Sequence, residues 1–473
     1  MKNLTLESYF YNEIQRELSI NWTASDCLEG VFKEEKITLK YEREVLIDDA
    51  IIHFIFASVV IPCYAIIHKN YNISIYSNLH SPIHENVFKE ICLYHNIKNV
   101  TYKSNVTNDR PAMIPVSDKV GLFYGGGKDS LVSAAIQGEI FGEEKINLLR
   151  LVWDEDINNL EKKSKIINES LEFMSDKGFS SAKVISDFHF KVINRSVGKI
   201  PGLALYSAFM APIFVKENYR LLSFGYDSTE FHNSVSKNRA IPFRNSRPNI
   251  ISHLSNAIFM STGLAINFKN FNYSMTPYVA FKLLSCRYNN YYSNLYMCER
   301  LAGKWCLKCR KCITYAFACL ANKQPCDFNL KYFFEKSKYV NDLALETVGN
   351  SVNNLNGLHI DKFSHPKHFC ATVELVNDID LDYAKKELLD LQYPRAYYNF
   401  IVIALRYRHL KYEDHSSFWL AAYEQESQHL NNDPNNEIKN SLLNILKESN
   451  IKIIENKKIT GLNRDVEVYY DYN

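Results

Sequence analysis

The chain has 473 residues, 46% of them apolar and 23% charged, with 55 basic against 53 acidic side chains. That length allows two or three domains, and the composition is that of an ordinary globular protein. A formal net charge of +2 excludes the global basic field that many nucleic-acid binders carry, so a nucleic-acid partner is not indicated. Residues 1–10 hold Lys2 and Glu7 and lack an apolar core, which argues against a secretory leader and for a cytoplasmic location. Eleven cysteines, most of them isolated, then sit in a reducing compartment, where a cluster suggests metal rather than disulfides.

Residues 1–115 read as a separate α/β unit. Segments 36–41 and 73–76 alternate like strands, and 48–60 and 85–94 have the pattern of helices. Residues 51–67 are nearly uncharged but fall short of the ~20 residues a membrane span needs. A buried helix broken near Pro62 is expected there, and no membrane partner. His80 and His84 flank Pro82, and His365 and His368 flank Pro366. With no third ligand nearby, both pairs read as loop histidines.

From Val120 short apolar runs alternate with helical segments. Strands are expected at 120–124, 148–153, 182–185 and 220–224, with helices at 164–173 and 204–215. This alternation implies a parallel, doubly wound sheet with helices on both faces, over residues 116–325. Residues 326–473 read as mainly helical, with a loop at 431–436.

The first strand of the middle region ends in Tyr124-Gly125-Gly126-Gly127-Lys128-Asp129-Ser130 and a helical pattern follows. Bare N–H groups at a helix start, with glycines that admit a phosphate, form an anion site. Two commoner phosphate loops are excluded. A Walker A loop needs Gly where Leu122 stands and Ser or Thr where Asp129 stands, and the dinucleotide fingerprint needs Gly in place of Ser130. Gly125 to Ser130 are therefore candidate nucleotide-phosphate ligands. Ser130 would add a hydroxyl, Lys128 would offset phosphate charge, and Asp129 would orient the loop or help place Mg²⁺.

The second strong pattern is Cys298-x7-Cys306-x2-Cys309-x2-Cys312, among Lys304, Lys308, Arg310 and Lys311, whose charges favour thiolates. Four soft sulfurs in tetrahedral array suit Zn²⁺; an iron–sulfur cluster is the rival, although no Cys-Pro completes a ferredoxin run. Cys286 and Cys319 are alternatives to Cys298. Four thiolates leave no position for water, so the metal would be structural.

The loop resembles the Ser-Gly-Gly-x-Asp-Ser loop of the PP-loop ATP pyrophosphatases, with Gly125 in the place of the first Ser. Loop and cysteines together resemble the QueC-like branch, the 7-cyano-7-deazaguanine synthases, over residues 118–322. Ile200-Pro201-Gly202 is similar to that family's Val-Pro-Gly-Arg-Asn segment, and residues 225–230 to its Gly-x-Asn-x-x-Asp. Ser246-Arg247-Pro248-Asn249 is similar to its Cys-Arg-Pro-Glu, and Thr276-Pro277 with Lys282 to its Thr-Pro-Leu and following Lys. Leu203 and Ala204 replace the Arg-Asn pair, Asp227 replaces Asn, Glu230 replaces Asp and Asn249 replaces Glu.

The resemblance implies a PP-loop fold, ATP, Mg²⁺ and Zn²⁺ as cofactors, and adenylation of a 7-deazaguanine carboxylate for transfer to an amine. It offers Asp227, Glu230 and Arg247 as substrate-pocket candidates. The changed pocket and the two extra regions look like those of a relative with a changed substrate or acceptor. QueC-like proteins with such extensions occur in bacterial antiphage operons of the type IV CBASS and Qat kinds, where a deazaguanine is joined to a partner protein. The alternatives are a housekeeping-type synthase, a tRNA-thiolating enzyme and a nucleotide-binding scaffold without catalysis.

Overall fold

Ile146 to Trp153 carry apolar side chains on both sides of one strand, so both faces must be covered. In a computed structural model of the protein they are: Ile146 and Leu148 enter one hydrophobic core, Leu149 and Leu151 another. The structure describes residues 2–103, 106–107, 111–153, 161–193, 202–225, 248–272, 274–298, 305–338, 340–342, 344, 375–408, 417–420, 423 and 434–454.

The middle of the chain gives strands β6 (Val120–Phe123), β7 (Ile146–Trp153), β8 (Ser180–Ser186), β9 (Leu221–Ser223) and β10 (Asn267–Lys269). They lie in the order β10-β9-β6-β7-β8, all parallel. Helices α3 (Lys128–Phe141) and α4 (Glu161–Asp176) pack on one face through Leu131, Ile136, Ile167 and Met174. Helices α5 (Gly202–Glu217) and α6 (Pro248–Thr262) pack on the other through Phe209, Ile213, Leu254 and Ile258. Strand order reverses between β6 and β9, so their carboxyl ends open the crevice where doubly wound sheets bind ligands. The expected α/β class and doubly covered sheet are present, and each strand and helix expected here exists within a few residues of its expected ends.

The N-terminal region continues this sheet. Its strands are β1 (Asn3–Asn12), β2 (Glu17–Ala24), β3 (Lys36–Tyr41), β4 (Ile73–Ser77) and β5 (Val100–Tyr102). β3 pairs antiparallel with β8, Tyr41 opposite Val184, and the ten-stranded sheet runs on through β2, β1, β4 and β5. The α/β unit expected at 1–115 thus shares one hydrogen-bonded sheet with the domain that follows.

Helix α1 (Asp49–Ile67) is 19 residues long, and 83% of its apolar window is buried in the protein. Asp48 caps it, accepting from the Ile51 N–H at 2.8 Å. The expected break near Pro62 does not occur. A π-helical turn at Phe56–Val60 precedes the proline and widens the backbone, which accommodates the ring and the missing N–H without ending the helix. His84, expected in a loop, is instead buried at the start of helix α2 (Glu85–His95). His365 and His368 lie outside the described residues.

Helix α7 (Pro277–Lys282) opens with Thr276, which accepts from the Val279 N–H at 3.3 Å, and Pro277 at its first position. Beyond α8 (Arg310–Ala321) the described C-terminal residues are mainly helical: α9 (Leu330–Lys336), α10 (Leu381–Leu388), α11 (Pro394–Arg408) and α12 (Pro434–Glu448). The loop expected at 431–436 is overturned in its second half, because Pro434 starts α12 and draws Asn435 and Asn436 into its first turn. α12 lies against α3, where Arg287 bridges Glu139 of α3, at 2.9 Å, and Glu448 of α12, also at 2.9 Å. The Arg287 guanidinium holds the Glu139 carboxyl below its ordinary range. Lys282, offered by the resemblance as a landmark, donates to the Asn450 carbonyl at 3.1 Å.

Candidate functional site

The glycine loop sits at the switch point of the sheet. Gly126 has φ +74°, a conformation only glycine adopts without strain, and it turns the chain from β6 towards α3. Gly127 is the helix N-cap, extended and without a capping side chain. The loop thus leads directly into the N-terminus, the positive end, of a 14-residue helix.

Ser130 points inwards. Its Oγ accepts from the Gly125 N–H at 3.1 Å and donates to the Gly127 carbonyl at 3.1 Å, so the hydroxyl staples the loop. Lys128 is buried, ion-paired with Asp129, and its Nζ lies 5.7 Å from the centre of the Phe281 ring. The pair cancels its own charge. The positive character of the loop thus comes from backbone N–H groups and from Arg150, whose Nη1 donates to the Tyr124 carbonyl at 3.0 Å. Arg150 was not singled out by the sequence. It lies on β7, and only strand pairing sets it beside Gly125.

Two further residues fix the loop from outside it. Asn272 is fully buried; its Nδ2 donates to the Asp129 carbonyl at 2.6 Å and its Oδ1 accepts from Ser133 at 3.0 Å. Gly225, at the end of β9, presses on the same carbonyl: a Cβ there would lie 2.7 Å from the Asp129 oxygen. Below the loop Tyr124 bonds Ser170 at 3.1 Å, and burial pushes its phenol up to about 12.

The substrate candidates Asp227, Glu230 and Arg247 lie outside the described residues. Leu203 and Ala204, which the resemblance sets where a polar pair is expected, lie in the first turn of α5 and are buried in the core.

The four cysteines converge. The Sγ atoms of Cys298, Cys306, Cys309 and Cys312 all lie within 4.8 Å of one another, with Cys309 to Cys312 at 3.5 Å and Cys306 to Cys312 at 3.8 Å. Zn–S bonds of about 2.3 Å in a tetrahedron place sulfurs about 3.8 Å apart, so the set can hold a metal ion such as zinc. These separations fit a single ion rather than a cubane, whose thiolates bind different irons.

Local structure builds the cradle. Leu307 takes φ +57°, which lets the Lys308 N–H reach Cys306 Sγ at 3.4 Å, and the Cys306 N–H donates to Cys298 Sγ at 3.3 Å. Cys309 caps α8, and Cys312 lies in its first turn, where the helix dipole favours thiolate. Without metal, burial pushes Cys306 up to about 11, so binding must displace protons. Cys286 and Cys319 stand outside the cluster: Cys319 contacts the Tyr292 hydroxyl at 3.5 Å, and Cys286 is exposed.

No protein-family model, curated protein or solved structure matches the chain. What fold and site define is an α/β protein with a large, mostly parallel central sheet and a four-cysteine cluster able to hold a metal ion. Any closer kinship rests on the sequence motifs alone.

Proposed function

We propose that the chain is an ATP-dependent adenylating enzyme of the PP-loop, QueC-like kind, acting on a 7-deazaguanine carboxylate. The observation that carries this reading is the glycine loop at the switch point, with the N-terminus of α3 directly after it and the Arg150 guanidinium beside Gly125. In the reaction a substrate carboxylate oxygen attacks the α-phosphorus, the bond to the bridging oxygen breaks, and pyrophosphate leaves. An amine nitrogen then attacks the acyl carbon of the adenylate, loses a proton, and AMP departs. Gly125 to Ser130 and Arg150 hold the β- and γ-phosphates and stabilise the charge that accumulates on the leaving pyrophosphate. Mg²⁺ would supply further charge neutralisation, with Asp129 the nearest carboxylate to the loop.

The acceptor amine belongs to a partner protein in this reading, consistent with the regions beyond the motif-bearing domain and with the apolar Leu203 and Ala204. Four convergent thiols fit a zinc that is structural, and cysteines closed around an ion are poor sulfur carriers for tRNA thiolation. Reduced thiols also suit a cytoplasmic protein.

The test is turnover of ATP to AMP and pyrophosphate with 7-carboxy-7-deazaguanine, in the presence of ammonia or of the protein encoded beside it. Labelled protein supports the reading; free nitrile with unlabelled protein means a housekeeping-type synthase. The internal pairing of Lys128 with Asp129 favours one other reading, a nucleotide-binding scaffold, which predicts ATP binding with no AMP under either condition.

A further inference from the structure

An aromatic group stands beside the glycine loop that no phosphate or metal chemistry uses. Phe123 ends β6 and Trp153 ends β7. Because Phe123 pairs with Leu149, Trp153 lies four residues further along its strand, about 13 Å beyond the end of β6 at about 3.3 Å per residue. It stands at the carboxyl edge of the sheet, opposite Ser186 of β8. The Trp153 ring stacks on His189, centroids 3.7 Å apart and planes 17° from parallel. Tyr206, on the first turns of α5, joins the two strands edge-on, 6.4 Å from Trp153 and 6.3 Å from Phe123. Tyr206 is 36% exposed, and Trp153 and His189 are half-buried, so the group reaches the surface.

The place in the sheet gives these rings a use. Phosphates bound after the first strand of a doubly wound sheet put their nucleoside towards the end of the second, which here is Trp153. The start of α5 carries the buried Leu203 and Ala204, and Tyr206 follows them two positions on. The π-faces gathered here are of the kind that grip planar heterocycles through stacking.

We propose that Phe123, Trp153, His189 and Tyr206 form a stacking wall for a planar purine-type base, with Trp153 as its principal contact. The inference rests on the phosphate-loop reading. The base comes from one of two sources, the adenine of the nucleotide or the deazaguanine substrate.

Calorimetric titrations of the full chain with ATP, inorganic tripolyphosphate and 7-carboxy-7-deazaguanine separate them, using the parent, Trp153→Leu and Trp153→Phe. Trp153→Leu is expected to weaken one base-bearing ligand roughly ten- to hundredfold. Tripolyphosphate affinity should be unchanged, and Trp153→Phe should recover most of the loss. The ligand that weakens identifies the base. Equal affinities of parent and Trp153→Leu for both base-bearing ligands overturn the proposal, as does a loss that includes tripolyphosphate and is not rescued by Phe. A parent that binds 7-carboxy-7-deazaguanine but not tripolyphosphate defeats the phosphate-loop reading while the stacking wall is still decided by Trp153→Leu. A parent that binds none of the three overturns both.

Discussion

Two glycines in contact with the same loop should respond to a single methyl group in opposite ways. A Cβ on Gly225 would sit 2.7 Å from the Asp129 oxygen, 2.8 Å from its carbon and 2.9 Å from Asn272 Nδ2. Carbon contacts settle near 3.5–4.0 Å, so the chain must open by about 0.7 Å or more. None of the three atoms is free to give way: the carbonyl belongs to the first turn of α3 and is held by Asn272 at 2.6 Å. Gly225→Ala is therefore expected to cost about 1–3 kcal/mol, the range for overpacking a filled interior.

Gly125 has the reverse environment. Its Cβ would meet nothing closer than Ser130 Oγ at 3.8 Å and Arg150 Nη1 at 3.9 Å, and its φ is not positive. Gly125→Ala should leave stability within about 0.5 kcal/mol. The methyl would instead occupy the space a phosphate needs. Losing even one N–H bond to a charged group, worth about 1.5–3 kcal/mol, weakens nucleotide binding at least tenfold. Denaturant midpoints and calorimetry with ATP report the two effects separately. A Gly225→Ala chain as stable as the parent would show that β9 and α3 are not in close contact. A Gly125→Ala chain that binds ATP like the parent would remove the phosphate site.

Asn272→Ala should destabilise the chain and share that loss with Ser133→Ala, a double-mutant cycle giving about 0.5–3 kcal/mol of coupling; additive losses would contradict the Ser133–Asn272–Asp129 chain of bonds. Cys309→Ala should lose the bound metal and lower stability while Cys319→Ala keeps both, as read by elemental analysis and denaturation; unchanged metal content in Cys309→Ala would refute the site. His53 is buried, bonded to Ser77 at 2.8 Å, and burial holds its pKa down to about 4, so the unfolded chain takes up the proton first. Its contribution is complete well above pH 6.5 and is lost as pH falls towards 4, about 1.6 kcal/mol of it between 6.5 and 5; His53→Gln should flatten that slope, and an unchanged slope would place the titration elsewhere.

Where the sequence spoke through local physics, it spoke clearly. Strand β7 is legible because Ile146, Leu148, Leu149, Leu151 and Val152 leave it no solvated face. The start of α3 is legible because three glycines before an apolar helical run have few structural uses. The metal cradle is legible because Cys306, Cys309 and Cys312 fall at intervals one turn and one helix start can bring together. Pro62 misled for a physical reason. A proline limits the helix only if the preceding turn stays α, and Phe56 to Val60, just upstream, relax into a π-turn that no propensity marks.

What was hidden is whatever depends on residues far apart in the chain. Arg150 becomes a loop residue through the pairing of β6 with β7, and Asn272 through the position of β10 two strands away. Gly225 stood out in the sequence only as the first residue of a motif, whereas its contact is with the backbone of Asp129. The join between the N-terminal strands and the rest is a short antiparallel ladder, Leu39 to Tyr41 against Val184 to Ser186, and both strands have the alternation any half-buried strand shows. Alternation specifies a buried face but not a partner. A reading by segments therefore finds the elements on either side of residue 115 and places a boundary between them, while the hydrogen bonds carry one sheet across it. Loop, switch point and aromatic wall all lie along the carboxyl edge of that sheet. Together they draw on β6, β7, β9 and α5, which is why the site is a property of strand order before it is a property of any motif.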